Sequence, residues 1–276
     1  MEPCDAVVVG AGPAGLTAAI YLARFRRRVL VLGAGPSRAS WIPESHNTPG
    51  FPHGVGGTDL LARLTEQAHA FGVHIREALV RTLTPAAEGF EISTGARTIR
   101  APAVLLATGV RDRMPELPGI EAAVCRSVVR MCPICDAYEA TGKRIAVLGD
   151  GGLAQREAAF LRTYSDDVTV IGSGDGRLSF DTAAVRWTPS GDAAPQVFDH
   201  LYLALGCEPQ TELAVRCGAR CDDSGNLTVD PHQMTSVEGL YAAGDVVRGL
   251  NQISVATGEA AIAATAMHNR LRGQAP

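Results

Sequence analysis

Residues 5–33 read DAVVVGAGPAGLTAAIYLARFRRRVLVLG. A short β-branched run leads into a glycine turn, a stretch with helical periodicity and a second apolar run, which together predict a β-α-β unit. Within the turn, Gly10, Gly12 and Gly15 stand in a G-x-G-x-x-G spacing, with Pro13 and Ala14 between the last two glycines. The first glycine permits the tight turn, the second lets a pyrophosphate approach the backbone, and the third lets helix pack on strand. The helix N-terminus then faces an anion. A dinucleotide site is therefore expected at the start of the chain. One part of the pattern fails: the acidic residue that would hold a ribose hydroxyl at the end of the second strand is replaced by Gly33.

Working outward, a loop rich in proline, glycine and asparagine (SWIPESHNTPGFPHGVGG) precedes a helix expected from about Thr58 to Phe71, with Thr58 as its cap. Long loops of this kind commonly serve a ligand, and Trp41, His46 and His53 either touch substrate there or simply pack. Short strands follow, ending in APAVLLATG, and then a second strand-glycine-helix signal appears in RIAVLGDGGLAQREAAFLRTYSDDVTVIG. Here Gly149, Gly151 and Ala154 give G-x-G-x-x-A, which suits either a second nucleotide site or a structural turn. After the strand at residues 168–171, only residues 172–196 remain before the apolar run HLYLALG. A further crossover with its helix and returning strand needs roughly thirty residues. The second unit is thus expected to be cut short. The same stretch holds just two arginines, Arg177 and Arg186, and no basic cluster to clamp a 2′-phosphate. Towards the end, a short strand leads into Gly244 and Asp245, and a long helix of small residues closes the sequence.

The chain has 276 residues, 46% of them hydrophobic, enough for one large or two ordinary domains with a substantial core. A net charge of −4 with mixed signs throughout leaves no basic face for nucleic acid. The first strand begins almost at once, leaving no room for a signal peptide, and no apolar run approaches about eighteen residues. A soluble, cytoplasmic protein without membrane or nucleic-acid partners is expected. Seven cysteines form no even framework, and Cys4, Cys125, Cys207, Cys217 and Cys221 read as small core or surface residues.

The remaining two cysteines lie in RMCPICDAYE, with Cys132 and Cys135 two residues apart and Asp136 directly behind. A metal clamp, a structural staple and a working redox pair all fit this spacing. Zinc would need a second pair of ligands, which the C-x-x-x-C of Cys217 and Cys221 could supply. A structural disulfide is disfavoured in a reducing cytosol. A redox pair exploits the short spacing, since the disulfide opens and closes with little backbone movement. Pro133 is suited to start a helix whose dipole favours a thiolate, and Asp136 reads as either a proton carrier or a helix-end residue facing solvent.

In order along the chain, GAGPAG at the start, NTPGF at residues 47–51, ATG at 107–109, CPICD at 132–136, LALGCEP at 203–209 and GLYAAGDV at 239–246 resemble the low-molecular-weight thioredoxin reductase family of FAD-dependent pyridine nucleotide-disulfide oxidoreductases. The resemblance covers nearly the whole chain. It implies an α/β fold of two Rossmann-like three-layer domains: a discontinuous FAD domain, residues 1–112 and 198–276, and an inserted, shortened NAD(P)-binding-like domain, residues 113–197, carrying the cysteine pair. It places FAD on Gly10, Gly12, Pro13, Ala14, Gly15, Asn47, Thr108, Gly109, Gly244, Asp245, Gln252 and Ile253. It makes Cys135 the flavin-facing sulfur, Cys132 the exchange thiol and Asp136 the proton carrier, with no metal. A thioredoxin-like protein or a small-molecule dithiol or disulfide is the implied partner, and a homodimer the implied assembly.

In that family NADPH reduces FAD, FAD reduces the cysteine pair and the pair reduces thioredoxin. This sequence keeps the last two stations and weakens the first, so NADPH or NADH dependence is not expected to be normal. An alternative resemblance is to the FAD-dependent dithiol oxidases that close disulfides in natural products such as gliotoxin and holomycin. Those enzymes tend to carry histidine after the second cysteine, where this chain has Asp136. A flavin-binding scaffold or sensor without turnover is the alternative from a different class. Gly33 and the shortened domain favour it, and the intact cysteine motif opposes it.

Overall fold

The structure, a computed structural model, describes residues 4–274. Along the chain run β1 (Ala6–Val9), α1 (Pro13–Arg24), β2 (Val29–Gly33), a 3-10 turn (Arg38–Trp41), α2 (Gly57–Ala70), β3 (His74–Glu77), β4 (Thr82–Ala86), β5 (Gly89–Ser93), β6 (Thr98–Ala101), β7 (Ala103–Leu106) and β8 (Val110–Asp112). Then come α3 (Ile120–Cys125), β9 (Val129–Arg130), α4 (Pro133–Asp136), β10 (Ile145–Leu148), α5 (Gly152–Leu161), β11 (Val168–Ile171), β12 (Gly176–Phe180), β13 (Val185–Pro189), β14 (Gln196–Phe198), β15 (His200–Leu203), β16 (Cys207–Pro209), α6 (Glu212–Arg216), β17 (Leu240–Ala242) and α7 (Ile253–Leu271).

Two compact units result. The first takes the chain up to Ser40, Thr58–Arg111 and everything from Glu208 on. Its parallel sheet has the order β17-β7-β1-β2-β3. Because it is covered on both faces, β1 is apolar at every position rather than alternating. Ala6 and Val8 pack with Ala18 and Ala19 of α1 and Ala260, Ala263 and Ala264 of α7 on one face. Val7 and Val9 meet Phe90 and Ile92 of the antiparallel sheet β4-β5-β6 on the other. The small residues of α7 allow its close approach, as its composition suggests.

The second unit comprises Trp41–Gly57 and Asp112–Cys207. Its parallel sheet, β11-β10-β15-β9, carries α5 on one face through Ala154, Ala158 and Leu161. The other face is filled by Val129, Leu148, Ile171 and Leu201, with Trp187 and Leu178 from the antiparallel sheet β12-β13-β14. β11 stands at the edge of this sheet, and the chain turns from it directly into β12. The expected shortening is therefore real. A three-stranded antiparallel sheet fills residues 176–198 where a further crossover helix would not fit.

The division differs from the expected one in three places, the smallest being Asp112, which falls in the second unit. Residues 198–207, expected to open the returning half of the first domain, fall in the second unit, and 200–203 form β15, the partner of both β10 and β9. Their burial is satisfied only inside the second sheet, where Leu201 and Tyr202 are fully buried. Residues 41–57 also belong to the second unit: Ser45 bridges to Val55, and Trp41 packs on that unit's core. The outermost residues of the expected halves, 1–3 and 275–276, lie outside the described residues. α2 starts at Gly57, so Thr58 is inside the helix and not its cap; the Gly57 N–H is taken by the Ile42 carbonyl.

Candidate functional site

In the second unit, Pro133 takes the first position of α4, where a missing N–H costs nothing, and Cys132 is the residue before it. One turn brings the chain back on itself: the Cys135 N–H donates to the Cys132 carbonyl at 3.0 Å. The two Cα atoms are 5.3 Å apart and the sulfurs are joined as a disulfide. α4 is only four residues long, so the expected dipole assistance to a thiolate shrinks to that of a single turn. Beside the pair, Asn47 Nδ2 donates to the Ile134 carbonyl at 3.4 Å and Asn47 Oδ1 accepts from Ser45 Oγ at 3.1 Å. Asn47 therefore stands against the backbone between the two cysteines, in the unit that carries them.

Asp136 does not face solvent as a helix-end residue. Its Oδ2 lies 2.9 Å from Arg130 Nη1, and its Oδ1 accepts from Tyr202 Oη at 2.9 Å. Burial pushes its carboxyl above the usual range, while Arg130 and Tyr202 act to lower it. Tyr202 is raised by the same burial and by the Asp136 charge. Sequence reasoning missed Arg130 and Tyr202, because nothing local marks either one. Of the loop residues, His46 pairs with Glu44 at 3.1 Å, His53 is exposed, and Trp41 is part of the core packing.

The first unit supplies a glycine cradle. Gly10 has φ +113°, and a Cβ there would lie 2.1 Å from the Ala107 carbonyl oxygen; one on Gly15 would lie 1.9 Å from the Gly10 carbonyl oxygen. Backbone is thus packed against backbone at the end of β1. Gly12 is the residue before α1, Pro13 is within its first turn, and Ser37 Oγ stands 3.1 Å from where a Gly12 Cβ would be. Gly33 has a reason of its own: a Cβ would collide with Ala11 Cβ at 2.8 Å. An acidic side chain at this position would have to displace Ala11. We expect Gly33→Asp to lower stability by about 1–3 kcal/mol in urea unfolding and Ala11→Gly to recover most of the loss; simple additivity of the two would contradict this.

Around the cradle, the Thr108 hydroxyl donates to the Gln210 carbonyl at 2.7 Å, and Gly109 follows with φ +67°. Gly244, with φ +84°, gives its N–H to Glu259 Oε2 at 2.9 Å, and Glu259, only 5% exposed, also pairs with Arg248. Asp245 pairs with Arg38 Nη1 at 3.3 Å, and Gln252 with Ile253 forms the start of α7. Arg38, Arg248 and Glu259 carry no sequence signal that would have found them. A glycine turn emptied of side chains at a helix N-terminus, beside a carboxylate on a glycine turn, fits the diphosphate and polyol of FAD.

In the second unit, Gly149 packs as Gly10 does, a Cβ there lying 2.5 Å from the Ala204 carbonyl oxygen; Gly151 has φ +76°, and Ala154 is fully buried on the sheet-facing side of α5. At the end of β11, Asp175 Oδ2 accepts from the Gly172 N–H at 2.8 Å and Asp150 Oδ1 from the Ser173 N–H at 3.3 Å. A cavity of about 300 Å³ adjoins this point, walled by Pro115, Leu148, Ile171, Leu178 and Trp187, with Arg177 the one cation in its lining. Arg186 lies 3.7 Å from Asp181. Among the described residues no three metal-ligating side chains converge, and no helix is long and apolar enough to cross a membrane.

Residues 4–189 and 189–260 match the pyridine nucleotide-disulphide oxidoreductase family. The chain belongs to that family. It is 31% identical to the thioredoxin reductase of Treponema pallidum (strain Nichols), across 95% of both chains. In three dimensions it matches thioredoxin reductase from Giardia duodenalis with a TM-score of 0.87 at 25% identity, covering 99% of this chain and all of that one. The fold also matches thioredoxin reductase from Streptococcus pyogenes MGAS5005, TM-score 0.90 at 24% identity over 98% of both chains. This thioredoxin-reductase-like protein is a FAD-dependent oxidoreductase acting on disulfides.

Proposed function

We propose that electrons pass between FAD and the Cys132–Cys135 pair, and between that pair and a protein or small-molecule disulfide or dithiol, without NADPH as donor. The observation that carries this reading is the end of β11. There Asp150 and Asp175 bring two carboxylates to the backbone of Gly172 and Ser173, at the point of a β-α-β unit where a basic side chain would clamp a 2′-phosphate. A phosphate placed beside them would meet like charge.

FAD, when bound, supplies the two-electron chemistry. The chain's own residues hold it and position the sulfurs. Gly10, Gly12 and Gly15, with Pro13 and Ala14, would cradle the diphosphate; Asp245, Gly244, Thr108 and Gly109 would serve the ribityl chain; Gln252 and Ile253 would serve the ring. Cys132 is the sulfur attacked by the partner thiolate, Cys135 the sulfur released towards the flavin, and Asp136 the group that moves the proton. A thioredoxin-like partner is supported by the relatives' identity as thioredoxin reductases, and a cytoplasmic homodimer completes the reading.

The test is anaerobic. NADPH, NADH and dithiothreitol are mixed separately with the yellow protein while its visible absorbance is followed. Dithiothreitol is expected to bleach the flavin and NADPH to leave it oxidised for minutes. Bleaching by NADPH within seconds would overturn the reading. Bleaching by NADH alone would make the second unit a nucleotide site that rejects the 2′-phosphate.

A further inference from the structure

Arg130 and Tyr202 are register partners on the neighbouring parallel strands β9 and β15, so their side chains leave the sheet on the same face. Asp136 reaches them from α4, and each of its carboxylate oxygens meets a different donor: Arg130 Nη1 at 2.9 Å and Tyr202 Oη at 2.9 Å. The Arg130 side chain is 10% exposed and Tyr202 is fully buried. Apolar side chains of similar volume would anchor α4 at least as well as a buried ion pair does. The polar trio must therefore be explained by what it does to Asp136, the residue that directly follows Cys135.

We propose that Arg130 and Tyr202 are positioning residues that keep Asp136 an oriented carboxylate behind Cys135, where it accepts the thiol proton as the Cys132–Cys135 disulfide closes. This rests on the reading of the pair as a working redox couple. In closure by an external disulfide, Cys132 first exchanges with it, releasing one external thiol and forming a mixed disulfide. The Cys135 thiol then gives its proton to Asp136, its sulfur bonds to Cys132 Sγ, and the bond from Cys132 to the external sulfur breaks. Two electrons pass from the cysteines to the external disulfide; its second sulfur leaves as a thiolate, which becomes a thiol as Asp136 gives up the proton to it or to solvent.

The groups that face Asp136 are Arg130 from β9, Tyr202 from β15 and Glu139 from the turn after α4. Burial pushes the carboxyl up, the guanidinium and the phenol hold it down, and Glu139 adds a small upward push. His200, also on β15, contributes no charge near neutrality because burial and Arg130 lower it to about 4. Removing Arg130 therefore moves Asp136 further up, and the acid limb of closure with it.

The experiment follows closure of the reduced holoprotein by oxidised glutathione between about pH 5 and about pH 9, with alkylation quenching and peptide mapping of Cys132 and Cys135. R130M is expected to move the acid limb up by about one pH unit, slowing closure on that limb about tenfold. R130K should restore the rate to within about threefold, since charge rather than shape is retained. Y202F should shift the limb the same way by less, and D136N should remove it. Flavin content and circular dichroism report folding, and R130K with Y202F carries the test if R130M does not fold. A folded R130M with the unaltered profile, or R130M and R130K equally slow with no shift, would overturn the proposal alone. A wild-type pair that does not close at all would overturn the redox reading and this inference together.

Discussion

Replacing Cys135 with serine is expected to leave the protein yellow and to slow dithiol-driven bleaching of its flavin by at least about a thousandfold, because on the proposed reading the sulfur that carries electrons onward is gone. The fold should barely notice. The disulfide joins residues only three apart, and closing so short a loop removes little freedom from the unfolded chain. This contrast separates a working pair from a structural staple. Stopped-flow absorbance with dithiothreitol under anaerobic conditions, paired with a thermal melt, checks both halves. Bleaching at the wild-type rate would mean that electrons bypass the pair. An unaltered rate with a melt lowered by many degrees would make the disulfide a staple after all. Cys132 and Cys135 are bonded to each other, and Cys217 donates to the Leu83 carbonyl in the first unit, so no other cysteine is expected to substitute.

Gly10→Ala is expected to be the most damaging small substitution in the chain. Its Cβ would enter to 2.1 Å from the Ala107 carbonyl oxygen at a φ of +113°, a backbone conformation that L side chains rarely adopt. Both the overlap and the dihedral oppose it, and neither neighbour is a flexible side-chain end. We expect a loss of about 3–5 kcal/mol in urea unfolding, together with loss of FAD from the purified protein. Gly35→Ala is the control, since it too has positive φ but nothing within 4 Å of its added carbon; it should cost about 1 kcal/mol and leave FAD in place. Equal effects of the two would show that dihedral strain alone, not the close packing of β1 on the turn after β7, makes Gly10 necessary.

Much of the first unit was legible because its signals are local. β1 and α1 announce themselves by a change of periodicity across a glycine turn, and the glycines sit where backbone meets backbone. The shortness of the second unit was legible by length alone. What filled the gap was not: β12, β13 and β14 are three to five residues each with exposed outer faces, and alternation over so few residues is weak evidence. β9 is two residues long and exists only because β15 offers it a partner.

By itself the sequence determined the β-α-β openings, the glycine cradles, the Cys132–Cys135 spacing and the truncation after β11, since each depends on neighbours within one turn or one strand-helix-strand unit. Tertiary structure alone decided that residues 41–57 and 198–207 join the second unit, that a Cβ at Gly33 would meet Ala11, and that Arg38 meets Asp245. It also decided the setting of Asp136. Arg130 and Tyr202 become neighbours through the register of two parallel strands, and a register is a property of paired backbones that no single stretch of sequence contains.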